Sequence, residues 1–119
     1  VVSTLGGAGT QAPGTALSQG MRHIVEAAQE AGARRILAVG GAGVLDAPNG
    51  GLRNEQPTFP AVFQLVTREH TAAWRALEGS TLDWTFVCPP DIVRGSRTGQ
   101  YRIEPDRLPE GGKRISVED

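Results

Sequence analysis

Residues Arg34–Gly43 read RRILAVGGAG. Within them Arg35-Ile36-Leu37-Ala38-Val39 is a nearly continuous apolar run, closed by Gly40-Gly41-Ala42-Gly43. A short run of this kind, bounded by glycine, suits a parallel strand buried on both faces. A parallel strand needs crossover connections, so the flanking segments should be helical. On the N-terminal side Leu17, Met21, Ile24, Val25 and Ala28 fall at i, i+4, i+7, i+8 and i+11, one face of a helix near 15–31. Thr15 suits its N-cap and Gly32 its C′ stop. On the C-terminal side Pro60 opens a second helical pattern over 60–78, with Val62, Phe63, Val66, Ala73, Trp74 and Leu77 as its apolar stripe.

Further outward, Val1-Val2-Ser3-Thr4-Leu5 reads as a strand closed by Gly6-Gly7, and Trp84-Thr85-Phe86-Val87-Cys88 as another stopped by Pro89-Pro90. Residues 44–58 are glycine- and proline-broken and predict a long loop, a feature often functional in a compact fold. Two short candidate strands follow near Gln100–Glu104 and Arg114–Val117. The order strand–helix–strand–helix–strand predicts an α/β fold: a partial Rossmann-type, doubly wound parallel sheet with short C-terminal strands.

Composition narrows the function classes. The 119 residues carry 12 basic and 13 acidic side chains, a formal net charge of −1, which gives no attraction for nucleic acid or an anionic membrane. No apolar run approaches the ~18 residues of a membrane span. Cys88 is the single cysteine, which excludes an intrachain disulfide and a cysteine metal cluster and fits a reducing, cytoplasmic setting. His23 and His70, on separate helices without ligand-spaced partners, predict no metal site. The chain opens directly in a strand and stops at Glu118-Asp119 after an apolar alternation, so both ends read as cut.

In open parallel sheets ligands meet the C-terminal ends of the strands. Those ends are Leu5-Gly6-Gly7, Gly40-Gly41-Ala42 and Pro89-Pro90, and these eight residues are the candidate cofactor contacts. Glycine there lets a flat ligand approach the backbone, although glycine and proline also simply end strands. Gly7-Ala8-Gly9-Thr10-Gln11-Ala12 matches G-x-G-x-x-A, yet Pro13-Gly14 follows where a helix should open. Gly41–Asp46 fails the same pattern at its last position. His70 is either a packed histidine of the second helix or a polar group facing the cleft, and it is the one candidate catalytic residue. Ser116 and Asp119 fit a capping motif for a helix lying beyond the chain.

The stretches VVSTLGG (1–7), Gly20–Gly32, RRILAVGGAG (34–43), LDWTFVCPP (82–90), RTGQY (97–101) and RISVED (114–119) together resemble the atypical short-chain dehydrogenase/reductase group with an NAD(P)H-binding Rossmann domain. This group includes the flavin reductase/biliverdin reductase B type and the NmrA-like proteins. The resemblance implies that 1–119 is the C-terminal part of one such domain. A GATGxxG-like pyrophosphate loop would precede Val1, and a helix would follow Asp119. It also implies an NADP or NAD cofactor lying along Gly6-Gly7 and Gly40-Gly41, with Pro89-Pro90 near the nicotinamide. The chain departs from the Tyr-x-x-x-Lys pattern of many relatives: Val66 and His70 stand at those places, and Gly41 where the upstream Ser would be. The implied activity is hydride transfer to a small acceptor such as a flavin or quinone. The alternatives are a non-enzymatic NAD(P)-sensing regulator of the NmrA-like kind and an inactive truncated product. Weak or no cofactor binding is expected of this chain alone, along with self-association through an unpaired sheet edge.

Overall fold

A computed structural model describes residues 1–7 and 9–119. Its main sheet holds β1 (Val2–Ser3), β2 (Arg35–Val39) and β3 (Asp83–Val87) in the order β1-β2-β3. All pairings are parallel, with Ser3 level with Ala38 and Ala38 level with Phe86. The crossovers are α1 (Ala16–Glu30) and α2 (Gln64–Glu78). A second, two-stranded parallel sheet joins β4 (Asp91–Val93) to β5 (Arg114–Ser116).

The core lies between the main sheet and the two helices. Leu17, Met21, Val25 and Ala28 of α1 and Ala73 and Leu77 of α2 bury against Ile36 and Ala38 of β2. Successive crossovers that step the same way along a sheet return their helices to the same face. The expectation that β2 is buried on both faces is therefore corrected. Ile36 and Ala38 are buried, while Leu37 on the opposite face is 38% exposed; its partner Val2 on β1 and, further along that face, Val87 on β3 are exposed too.

The ends of α1 show how local sequence sets a boundary. Gly32 takes φ 67°, and the Gly32 and Ala33 N–H groups donate to the carbonyls of Gln29 and Ala28. That reciprocal pair is a Schellman closure, which requires the left-handed residue that glycine supplies without strain. At the other end Thr15 flanks the helix but makes no side-chain cap. The Ser18 N–H is satisfied instead by Glu69 Oε2 on α2, at 3.2 Å.

Three further sequence expectations are corrected. The first strand stops at Ser3, because Leu5 leaves the sheet and packs its Cδ2 over Gly20 of α1. The 60–78 segment is divided: Ala61–Phe63 is a 3₁₀ turn, and Val62, Phe63 and Leu65 are exposed while Thr67 is buried. The 44–58 stretch is a loop as expected, organised by a bridge between Asp46 and Leu52 and a 3₁₀ turn at Arg53–Glu55, and the Asp46 N–H donates to the Asp106 carbonyl. Gln100–Glu104 is not a strand; Ile103 is 81% exposed, and Asp91–Val93 supplies the partner of Arg114–Ser116 instead.

The Asp119 N–H donates to the Ser116 carbonyl at 3.1 Å, while its side chain turns to a different partner. Its carboxylate accepts from the Thr98 N–H and hydroxyl, each at 2.7 Å, and from the Gly99 N–H at 2.8 Å. These bonds, the Thr98 side chain's foremost, hold its carboxyl below the usual range. The RTGQY stretch is thereby tied to the last residue of the chain.

Candidate functional site

The three strands of the main sheet end near one level, so their following residues share a rim. At the centre of the rim Gly40 continues β2, and its N–H donates to the Val87 carbonyl at 2.7 Å. A Cβ on Gly40 would stand 2.4 Å from the Phe86 ring, so the missing side chain is filled by packing. Gly41 is backed by His70: a Cβ there would meet the imidazole Cδ2 at 3.1 Å and Nε2 at 3.3 Å. Ala42 opens a 3₁₀ turn over Ala42–Val44, whose Gly43 lies under Thr67 and Phe59.

On the β1 side Gly6 is exposed, with nothing within 4 Å of the place a Cβ would take. Gly7 is closed by the Pro13 carbonyl, and Leu5 is committed to α1. On the β3 side Pro89 and Pro90 are half-buried between β3 and β4. The structure thus gathers Gly40, Gly41, Ala42 and His70 at one place. Leu5 is turned to packing, and Gly6 stands open at the rim.

His70 is partly buried, and its Nδ1 is buried with no hydrogen-bond partner among the described residues. Burial lowers its pKa, and the nearby Glu69 carboxylate opposes part of that shift. The ring is therefore neutral at physiological pH and can hold or pass a proton without carrying a permanent charge. Cys88 lies close by, its Sγ donating to the Phe86 carbonyl at 3.4 Å. Burial pushes its thiol up to about 12, against a smaller opposing contribution from the Gly41 backbone. It is a packed thiol and not a nucleophile.

Phe86 and Cys88 were not among the sequence candidates. A signal for Phe86 existed: it is an aromatic residue in the strand whose neighbour ends in two glycines, and glycine often marks such a close approach. Nothing in the sequence ties Glu69 to the start of α1.

The residues present suit a planar cofactor edge at the rim. Gly6 leaves open space, Gly41 has no side chain, and the Cδ2–Nε2 edge of the His70 ring stands beside it. They do not offer a pyrophosphate cradle on α1. The G-x-G-x-x-A match spans Gly7–Ala12, of which Ala8 lies outside the described residues, and α1 begins only at Ala16. An N–H of its first turn is already taken by the Glu69 carboxylate, a negative group where a phosphate would have to sit.

Solved structures share this fold. A Burkholderia pseudomallei protein described as exported is 34% identical, with a TM-score of 0.76 over 87% of this chain and 52% of its own. A Streptococcus pneumoniae protein described as an NADH-flavin reductase is 27% identical, with a TM-score of 0.78 over 100% of this chain and 60% of its own. The anaerobillin reductase ChuY of Escherichia coli is 26% identical, with a TM-score of 0.68 over 95% of this chain and 50% of its own. The chain therefore spans about half the length of these relatives. The Rossmann-type α/β fold follows from the parallel order and from these likenesses. The NAD(P)H-binding family matches over residues 1–119, and the chain belongs to that family.

Proposed function

We propose that residues 1–119 form the nicotinamide-facing part of an NAD(P)H-dependent reductase whose acceptor is a flavin, quinone or similar small molecule. The observation that carries the reading is Gly41, bare of side chain and backed by the partly buried, neutral His70 at the C-terminal ends of the strands. Relatives described as an NADH-flavin reductase and an anaerobillin reductase support it.

When bound, the cofactor supplies a hydride to the acceptor. The chain's own residues do the rest. Gly6 leaves room for the ring and its ribose, Gly41 lets the His70 ring come up against the backbone, and Pro89 and Pro90 stiffen the third side of the rim. We assign His70 a relay of the proton that the reduced acceptor takes up: the ring receives a proton from water at one nitrogen as it donates the proton carried by the other. A neutral imidazole suits a relay because it carries one N–H donor and one lone-pair acceptor.

The test is acceptor-dependent NADPH and NADH oxidation by the natural gene product carrying residues 1–119, with flavins and quinones offered in turn. His70→Ala should lower turnover by about 10²-fold and remove one limb of the pH profile, with little change in cofactor affinity. No oxidation with any acceptor would overturn the reductase reading. Unchanged turnover in His70→Ala would overturn the role of His70 alone.

A further inference from the structure

A groove of about 580 Å³ lies on the outer side of the helix layer, unused by the site at the strand ends. Arg22 of α1 and Arg68 and Arg75 of α2 line it, with Asn54 of the 44–58 loop at its rim. Ala72 and Ala76 form its floor, four and eight residues after Arg68, so small side chains leave room for the long cationic ones. By helical spacing this face of α2 is turned away from His70 and Ala73.

The groove is built rather than incidental. Thr71 Oγ1 accepts from Asn54 Nδ2 at 3.1 Å and donates to the Thr67 carbonyl at 2.8 Å, which fixes one wall. Arg22 Nε donates to the Ser18 carbonyl at 3.4 Å, leaving its two terminal nitrogens available. No carboxylate lines the groove. Glu26 and Glu78 are near by helical spacing, and Glu69 is bound to the Ser18 N–H. Yet among the described residues the sole ion pair is Arg35–Asp83, neither of which lines the groove. Three unpaired guanidinium groups around one ligand-sized groove are unexpected in a chain of net charge −1.

We propose that this groove is a second binding site, for a small polyvalent phosphate such as a pyrophosphate or phosphate ester. Guanidinium groups present paired N–H donors in a planar fork that matches phosphate oxygens, and several such groups suit a ligand carrying more than one charge. Its concavity and alanine floor fit a compact anion better than a flat protein surface. The proposal does not rest on the reductase reading, since neither His70 nor the strand ends take part.

The test is an NMR titration of the full chain with inorganic pyrophosphate at low ionic strength, following backbone amides and arginine side-chain Nε–H groups. We expect saturable shifts at Arg22, Arg68 and Arg75. Arg68→Gln should raise Kd about tenfold, the loss of one charge-assisted contact. Arg34→Gln removes the same charge elsewhere on the surface and should leave Kd within about twofold. Citrate provides the carboxylate arm, and an acidic peptide the protein arm. The proposal is overturned if pyrophosphate causes no shift, if Arg34→Gln weakens binding as much as Arg68→Gln, or if only citrate or the peptide binds.

Discussion

Glu69 of α2 caps α1: its Oε2 accepts the backbone N–H of Ser18 at 3.2 Å, across 51 residues of sequence. The contact supplies what Thr15 does not, an acceptor for a first-turn N–H, and it sets a negative charge at the positive end of the helix dipole. It also fixes the two helices against each other beside the His70 site. Glu69→Gln keeps the shape and removes the charge, and it should cost about 0.5–1 kcal/mol. Urea unfolding would measure it, and a midpoint unchanged at low salt would show that the cap contributes nothing.

Gly40 has a packing reason to lack a side chain. Gly40→Ala sets a Cβ against the Phe86 ring and should destabilise by about 1–3 kcal/mol. Adding Phe86→Leu should return part of that loss, a coupling visible in a double-mutant cycle. Additive losses would mean that the ring moves aside without cost.

The depressed pKa of His70 makes stability depend on pH. The unfolded chain protonates this histidine near about pH 6.5, while the folded protein resists until lower pH. Its contribution is therefore fully present above about pH 6.5. It is lost as pH falls toward the folded value and then levels off. The difference in unfolding free energy between wild type and His70→Gln should shrink over that interval. Because Glu69 opposes the shift, Glu69→Gln should deepen it. A wild-type difference that stays constant with pH would contradict this.

The chain by itself should bind NADPH weakly or not at all. Its one G-x-G-x-x-A match opens into Pro13-Gly14, and the start of α1 already holds a carboxylate. Titration followed by nicotinamide fluorescence should show no saturation below about millimolar concentration, the range of a ligand held by one end only. A stoichiometric complex of micromolar affinity would refute the expectation.

Among the described residues no strand lies beside the outer edge of β1, and Val2 there is 71% exposed. We propose that residues 1–119 in isolation associate with a second copy through this edge. Sedimentation should show concentration-dependent self-association that Val2→Lys reduces. A monomer at all concentrations would exclude it.

The sequence by itself determined the alternation of strands and helices, the inward stripe of α1, the glycine closure at Gly32 and the candidate rim at Gly40-Gly41. Each of these is written in local spacing: a period near 3.6, a short apolar run, or a left-handed residue after a helix. Where local cues misled, a distant partner had overruled them. Leu5 left the first strand because Gly20 offered it a hollow, and Asp91–Val93 became a strand because Arg114–Ser116 lay beside it. His70 illustrates the division within the site. Its place on α2 follows from the sequence, but only the tertiary structure sets its ring against Gly41, buries Nδ1 and puts Glu69 near enough to matter. Spacing along a chain fixes which residues share a face; which face meets which neighbour is decided by the packing of the whole core, and burial and pKa follow from that packing.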